Sequence, residues 1–134
     1  MATIEWSEAL LLGVEPMDST HREFMARLNA LAEAPEARML ECFELLYSHT
    51  QEHFERENAW MEQIVFPPVH CHTAEHEGVL EVMRDVRRHL EAGDLEVGRV
   101  LARELAEWFK GHAATMDAML AQMLQAHGIL EASA

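Results

Sequence analysis

The chain is poor in thiols: Cys42 and Cys71 are the only two cysteines in 134 residues. Two cysteines cannot build a metal site alone, and they exclude a disulfide-stapled scaffold. They read as unpaired thiols of a reducing compartment. Basic residues are scarce as well, with 10 Lys and Arg against 24 Asp and Glu, a formal net charge of −14. Nucleic acid and anionic membranes are met by basic patches, so both are excluded as partners. No apolar run approaches the ~20 residues of a membrane helix. Residues 9–12 (ALLL) are too short for a signal sequence, and acids stand where a signal peptide carries bases. The protein is therefore expected to be cytoplasmic and unprocessed. Proline and glycine are few, 4 and 6, against abundant Ala, Leu, Glu and Met, a mix that favours helix. A chain of this length buries a core without staples, so one domain is expected over residues 1–134.

Three breaks organise the chain. Pro35 and the pair Pro67-Pro68 cannot continue a helix, since proline lacks the N–H and clashes with the preceding turn. Gly93-Asp94 offers a helix stop followed by a helix cap. Four helices are expected, at about 20–31, 36–64, 71–92 and 95–127. Thr20 and Glu23 have the spacing of a capping box, and Phe24, Leu28 and Leu31 follow the helical period. Short connections between long helices imply antiparallel neighbours. The expected fold is all-α, an antiparallel up-and-down four-helix bundle. An N-terminal arm, residues 1–17, precedes it, with Trp6 packed on the bundle.

What the chain has in excess is histidine, nine in all. The first helix offers His21. The second offers His53 and Glu57, and the third His72 and His76, each pair at i and i+4. Such pairs share one helical face, one turn apart. The fourth offers His112 and Asp117, at i and i+5. Five residues carry a regular helix well past one turn, so long rotamers or a local distortion are needed there. Every candidate lies near mid-helix, where an antiparallel bundle brings residues to one level. The expected product is a buried box of five imidazoles and two carboxylates. Seven N/O donors exceed what one divalent ion needs and suit two ions bridged by carboxylates. Imidazole and carboxylate without thiolate suit Fe, Mn or Zn. His49, His70, His89 and His127 are given no ligand role. His49 is the ambiguous one, since it stands at i−4 from His53. Met25, Met61, Met83, Met116, Met119 and Met123 are read as core filler.

The stretches IEWSEALLLGV, MDSTHREFMARLNAL, HFEREN, HTAEH and WFKGHAATMD, in this order, resemble the hemerythrin family, and its bacterial members in particular. The resemblance spans the chain from Trp6 to the end of the fourth helix. It implies two iron ions (Fe2+/Fe3+) with an oxo or hydroxo bridge. His72, His76 and His112 would saturate one iron. His21 and His53 would hold the other and leave a position open. Glu57 and Asp117 would bridge. The implied function is reversible O2 binding, for storage, transport or delivery, with O2 held as hydroperoxide at the open iron. The formal charge of the centre is then the same before and after binding, which suits a buried site.

The pocket at the open iron must be dry, and Phe24, Phe54, Trp108, Phe109 and Ala113 are its candidate lining. Ala113 is small where the family often carries a larger aliphatic residue, which predicts a wider pocket and faster autoxidation. Asn58 stands where relatives often carry a second Glu. The alternative functions are a di-iron redox enzyme acting on peroxide or nitric oxide, and an O2 or redox sensor. No acid stands out beside the aromatic lining, which favours the carrier over an enzyme. The chain ends at Ala134, soon after the fourth helix, so a covalently attached output domain is not expected. No exposed apolar stripe forces assembly, and a monomer is expected.

Overall fold

The computed structural model describes residues 4, 5, 7–64 and 69–130. Trp6 and the Pro67-Pro68 break lie outside them. Four long helices are present: α1 (Glu15–Glu33), α2 (Met39–Gln63), α3 (Val69–Glu91) and α4 (Glu96–His112). A π-helical turn, Ala113–Asp117, joins α4 to its continuation α5 (Ala118–Ala126). Short 3-10 turns cover Glu8–Leu10 and Glu36–Arg38. Helix α1 packs on α2 and α4, and α3 packs on the same two, so the helices close a four-membered ring. This is the up-and-down bundle that the sequence pattern predicts.

The helix ends correct the sequence reading in three places. Helix α1 begins at Glu15, not near Thr20, so the arm ends at Val14. Pro16 fits a first turn because its missing N–H has no partner to lose there. The buried Asp18 carboxylate accepts from the N–H groups of Leu12 (2.8 Å) and Gly13 (3.1 Å), which fixes the entry. The hydroxyl of Thr20 donates to the carbonyl of Pro16 (2.7 Å) inside the helix and caps nothing. Helix α2 starts at Met39, because residues 36–38 after Pro35 form a tighter 3-10 turn. The fourth helix is not one regular α-helix over 95–127 but is interrupted at residues 113–117. Gly93, with φ +95°, ends α3 in a left-handed cap: Gly93 N–H donates to Leu90 and Asp94 N–H to His89.

Two apolar clusters form the interior. The larger contains Phe24, Leu28, Phe43, Leu46, Met83, Leu90, Leu105 and Phe109. The smaller contains Val14, Met17, Met61, Ile64, Leu120, Ala121 and Leu124. Along α1 the larger begins at Phe24 and the smaller ends at Met17, with His21 between. Along α2 the smaller begins at Met61, beyond His53 and Glu57, and along the fourth helix Asp117 separates Ala113 from Leu120. A polar layer thus divides the core. Met25, Met61 and Met83 fill core as expected, whereas Met119 is 50% exposed.

Candidate metal centre

The polar layer contains His21 from α1, His53 and Glu57 from α2, His72 and His76 from α3, His112 from α4 and Asp117 from the π turn. None is more than 4% exposed. The π turn resolves the i+5 problem. In a regular helix Asp117 would lie about 140° round from His112. A π turn takes one more residue per turn, and it sets Asp117 Oδ1 3.2 Å from His112 Nε2.

The seven residues form two overlapping groups of donors. His72, His76 and His112 gather with Glu57 and Asp117, and His21 and His53 gather with the same two carboxylates. Glu57 turns Oε1 to His76 (3.3 Å) and His72 (3.4 Å), and Oε2 to His53 (2.7 Å) and His21 (3.7 Å). Asp117 turns Oδ1 to His72 (3.0 Å) and His112 (3.2 Å), and Oδ2 to His21 (3.3 Å). Each carboxylate therefore spans both histidine sets. Donors about 2.1 Å from one ion and at right angles lie about 3.0 Å apart, so most of these separations suit shared ions.

The layer also has unmet needs that a cation answers. Among the described residues, His21 Nε2, His76 Nε2, Glu57 Oε1 and Asp117 Oδ2 are buried without a hydrogen bond, meeting one another only at 3.3 Å or more, and all four face the cluster. Such atoms are costly inside a protein unless something holds them. Burial alone would push the Glu57 carboxyl up, but His53, His21 and His72 hold it well below the usual range. Burial and Glu57 push Asp117 up, and the N–H groups of His21 and His72 help to outweigh them and hold it below the usual range. Both carboxylates are thus ionised. Burial opposes protonation of His21 and His72, yet Asp117 and Glu57 raise each to about 9. Burial leads for His76 and lowers it. The donor set fits metal ions.

The rings around the layer sort into two sides. Phe109 stands edge-on to His21 at 5.0 Å, and Phe24 lies 4.8 Å from Phe109 and 6.2 Å from His53. Phe54 reaches both sides, 5.3 Å from His53 and 4.0 Å from His76. Ala113 is fully buried. Trp108 departs from the expected lining: it stacks on His112 at 4.3 Å, on the three-histidine side. A partly exposed indole with its N–H bonded to Glu75 cannot also turn inwards to the other pair. His53, not His49, joins the cluster; His49 lies a turn away, with Nε2 3.5 Å from Glu23. His70, His89 and His127 are exposed, and both cysteines are free.

The family model described as the hemerythrin HHE cation binding domain matches residues 12–124. The chain belongs to the hemerythrin family. This hemerythrin is 46% identical over 128 residues to a bacteriohemerythrin of Ralstonia nicotianae, across 96% of this chain and 93% of the relative. It is 24% identical over 131 residues to a bacteriohemerythrin of Methylococcus capsulatus, across 94% and 100% of the two chains. Among solved structures, wild-type hemerythrin aligns with a TM-score of 0.82 at 22% identity, over 90% of this chain and 97% of that one. A leucine-to-alanine mutant of hemerythrin aligns with a TM-score of 0.84 at 23% identity, over 92% and 98%. These structures share the fold.

Two residues to which the sequence assigned no role in this hemerythrin hold candidate ligands from outside the cluster. Asn58 Oδ1 accepts from His76 Nδ1 at 2.9 Å, and Glu75 Oε1 accepts from His112 Nδ1 at 2.9 Å. Their positions carried a weak signal: each adjoins a candidate ligand in sequence, Glu57 and His76 respectively.

Proposed function

We propose that this hemerythrin binds O2 reversibly at a di-iron centre whose ligands are His21, His53, Glu57, His72, His76, His112 and Asp117. One observation carries the reading: two donor groups, of five and four residues, share Glu57 and Asp117. His72, His76 and His112 would hold one metal ion, and the pair His21 and His53 would leave the other one donor short. That shortfall is the opening for a small ligand. Two iron ions held there would supply one electron each, a two-electron reduction of O2 that is undone on release.

The chain's own residues do the rest. Glu57 and Asp117, common to both donor groups, would hold the two ions together and balance their charge. Phe24, Phe54 and Phe109, all buried, exclude water from the His21–His53 side, where bulk protons would expel reduced oxygen. Rings, rather than acids placed for turnover, surround this pair, which supports a carrier over an enzyme. No helix among the described residues is long and apolar enough to cross a membrane.

The test is an anaerobic titration of the iron-loaded, reduced protein with O2. A visible charge-transfer band that disappears under argon and returns with O2 is expected. Direct oxidation without that band overturns the carrier reading and favours a redox enzyme. Failure to hold two irons per chain overturns the ligand set.

A further inference from the structure

We infer that Glu75 is a positioning residue for the three-histidine side of the centre: it holds His112 with a bare Nε2 turned inwards and clamps Trp108 onto the back of that ring. The inference rests on the reading of the cluster as a metal site. Glu75 itself touches no candidate metal position.

One oxygen makes the arrangement. Glu75 Oε1 accepts from His112 Nδ1 at 2.9 Å and from the Trp108 indole N–H at 3.1 Å. A neutral imidazole has one N–H. With that proton held at Nδ1, Nε2 is left as a lone-pair donor. It faces His72 Nε2 at 3.1 Å and Asp117 Oδ1 at 3.2 Å. The indole plane lies 21° from that of His112, with centroids 4.3 Å apart, and blocks rotation of the ring. The other outer nitrogens differ. His76 is held by the neutral Asn58, and Nδ1 of His21 and of His53 has no hydrogen-bond partner among the described residues. A carboxylate behind a ligand histidine fixes its tautomer and strengthens its donor nitrogen.

The location separates this role from core packing. The His112 side chain is 2% exposed, whereas that of Glu75 is 39% exposed. Glu75 lines an apolar groove of about 360 Å³ between α3 and α4, together with Val79, Leu105 and Trp108 among others. Helix α3 thus supplies two ligands and, from the position between them, orients a third on α4.

Two variants test this. Glu75→Ala removes charge and acceptor, whereas Glu75→Gln keeps an acceptor oxygen at the same reach. In the metal-free 15N-labelled protein, the His112 ring shifts report which nitrogen carries the proton. Nδ1 is expected in the parent and in Glu75→Gln, with a shift towards Nε2 in Glu75→Ala. In the iron-loaded protein, loss of iron to a chelator should be about 10–100-fold faster in Glu75→Ala. For Glu75→Gln an intermediate acceleration is expected. Glu77→Gln, a surface partner of Arg84, is the control and should match the parent. An unchanged tautomer, or parental iron loss, in Glu75→Ala overturns the proposal. A parent that holds no iron would sink the di-iron reading instead, and the metal-free tautomer would still judge Glu75.

Discussion

The ring of Phe54 lies flat on that of His76, with centroids 4.0 Å apart and planes 5° apart. The same phenylalanine reaches His53 at 5.3 Å, so one buried ring braces a histidine from each donor set. Phe54→Ala should destabilise the metal-free protein by about 3–5 kcal/mol through the cavity it leaves. Phe54→Leu should cost about 1–2 kcal/mol, since most of the volume is kept. Urea unfolding of the three proteins measures both, and equal midpoints for Phe54→Ala and the parent would contradict the bracing role.

The metal-free protein should have a stability plateau in mildly acidic solution. His21 and His72 are raised from 6.5 to about 9, so their contribution is complete below pH 6.5 and is lost as pH rises through 9. Glu57 and Asp117 are lowered from 4.5 and 3.8, so theirs is complete above those values and is lost in acid. Thermal melts from pH 3 to 10 should peak between about 4.5 and 6.5. A midpoint that climbs steadily to pH 9 would refute the assignment.

Metal loading should expel protons. At neutral pH His21 and His72 carry protons that a metal must displace. About two protons per chain should therefore leave the histidines when iron binds. A weakly buffered titration with a pH indicator counts them, and no release at all would mean that both rings were already neutral.

Ala113→Leu should slow autoxidation of the oxygenated protein. The alanine is fully buried at the start of the π turn, within the cluster that holds Phe24 and Phe109. Three added carbons fill room in the cluster of Phe24 and Phe109 and overpack the core at about 1–3 kcal/mol. The decay of the oxygenated spectrum in air gives the rate. A parental rate in a folded variant removes the wide-pocket idea.

Much of this was legible in the sequence. Proline at 35 and the Gly93-Asp94 stop mark helix ends through backbone chemistry that no tertiary contact overrides. The i,i+4 pairs on α2 and α3 state which donors share a face. What the sequence hid depends on contacts that helical period does not encode. The start of α1 is set by Asp18 folding back on Leu12 and Gly13, a contact that outcompetes the capping box at Thr20. The place of Trp108 follows from its bond to Glu75 on another helix, and helical period alone cannot supply that partner. The i+5 spacing announced that something must give in the fourth helix, without saying whether rotamers or backbone would do so.

The answer, a π turn, also says how this helix tolerates a change of length. A one-residue insertion ordinarily rotates everything downstream by about 100° and would strip Leu120, Ala121 and Leu124 from the interior. Here the surplus residue is absorbed locally, and the two flanking stretches keep their faces. Taking out the exposed Ala114 would leave His112 and the aspartate at the same i,i+4 spacing as His53 and Glu57. The turn is thus a seam that carries one residue more than a regular helix needs while both halves of the core stay closed.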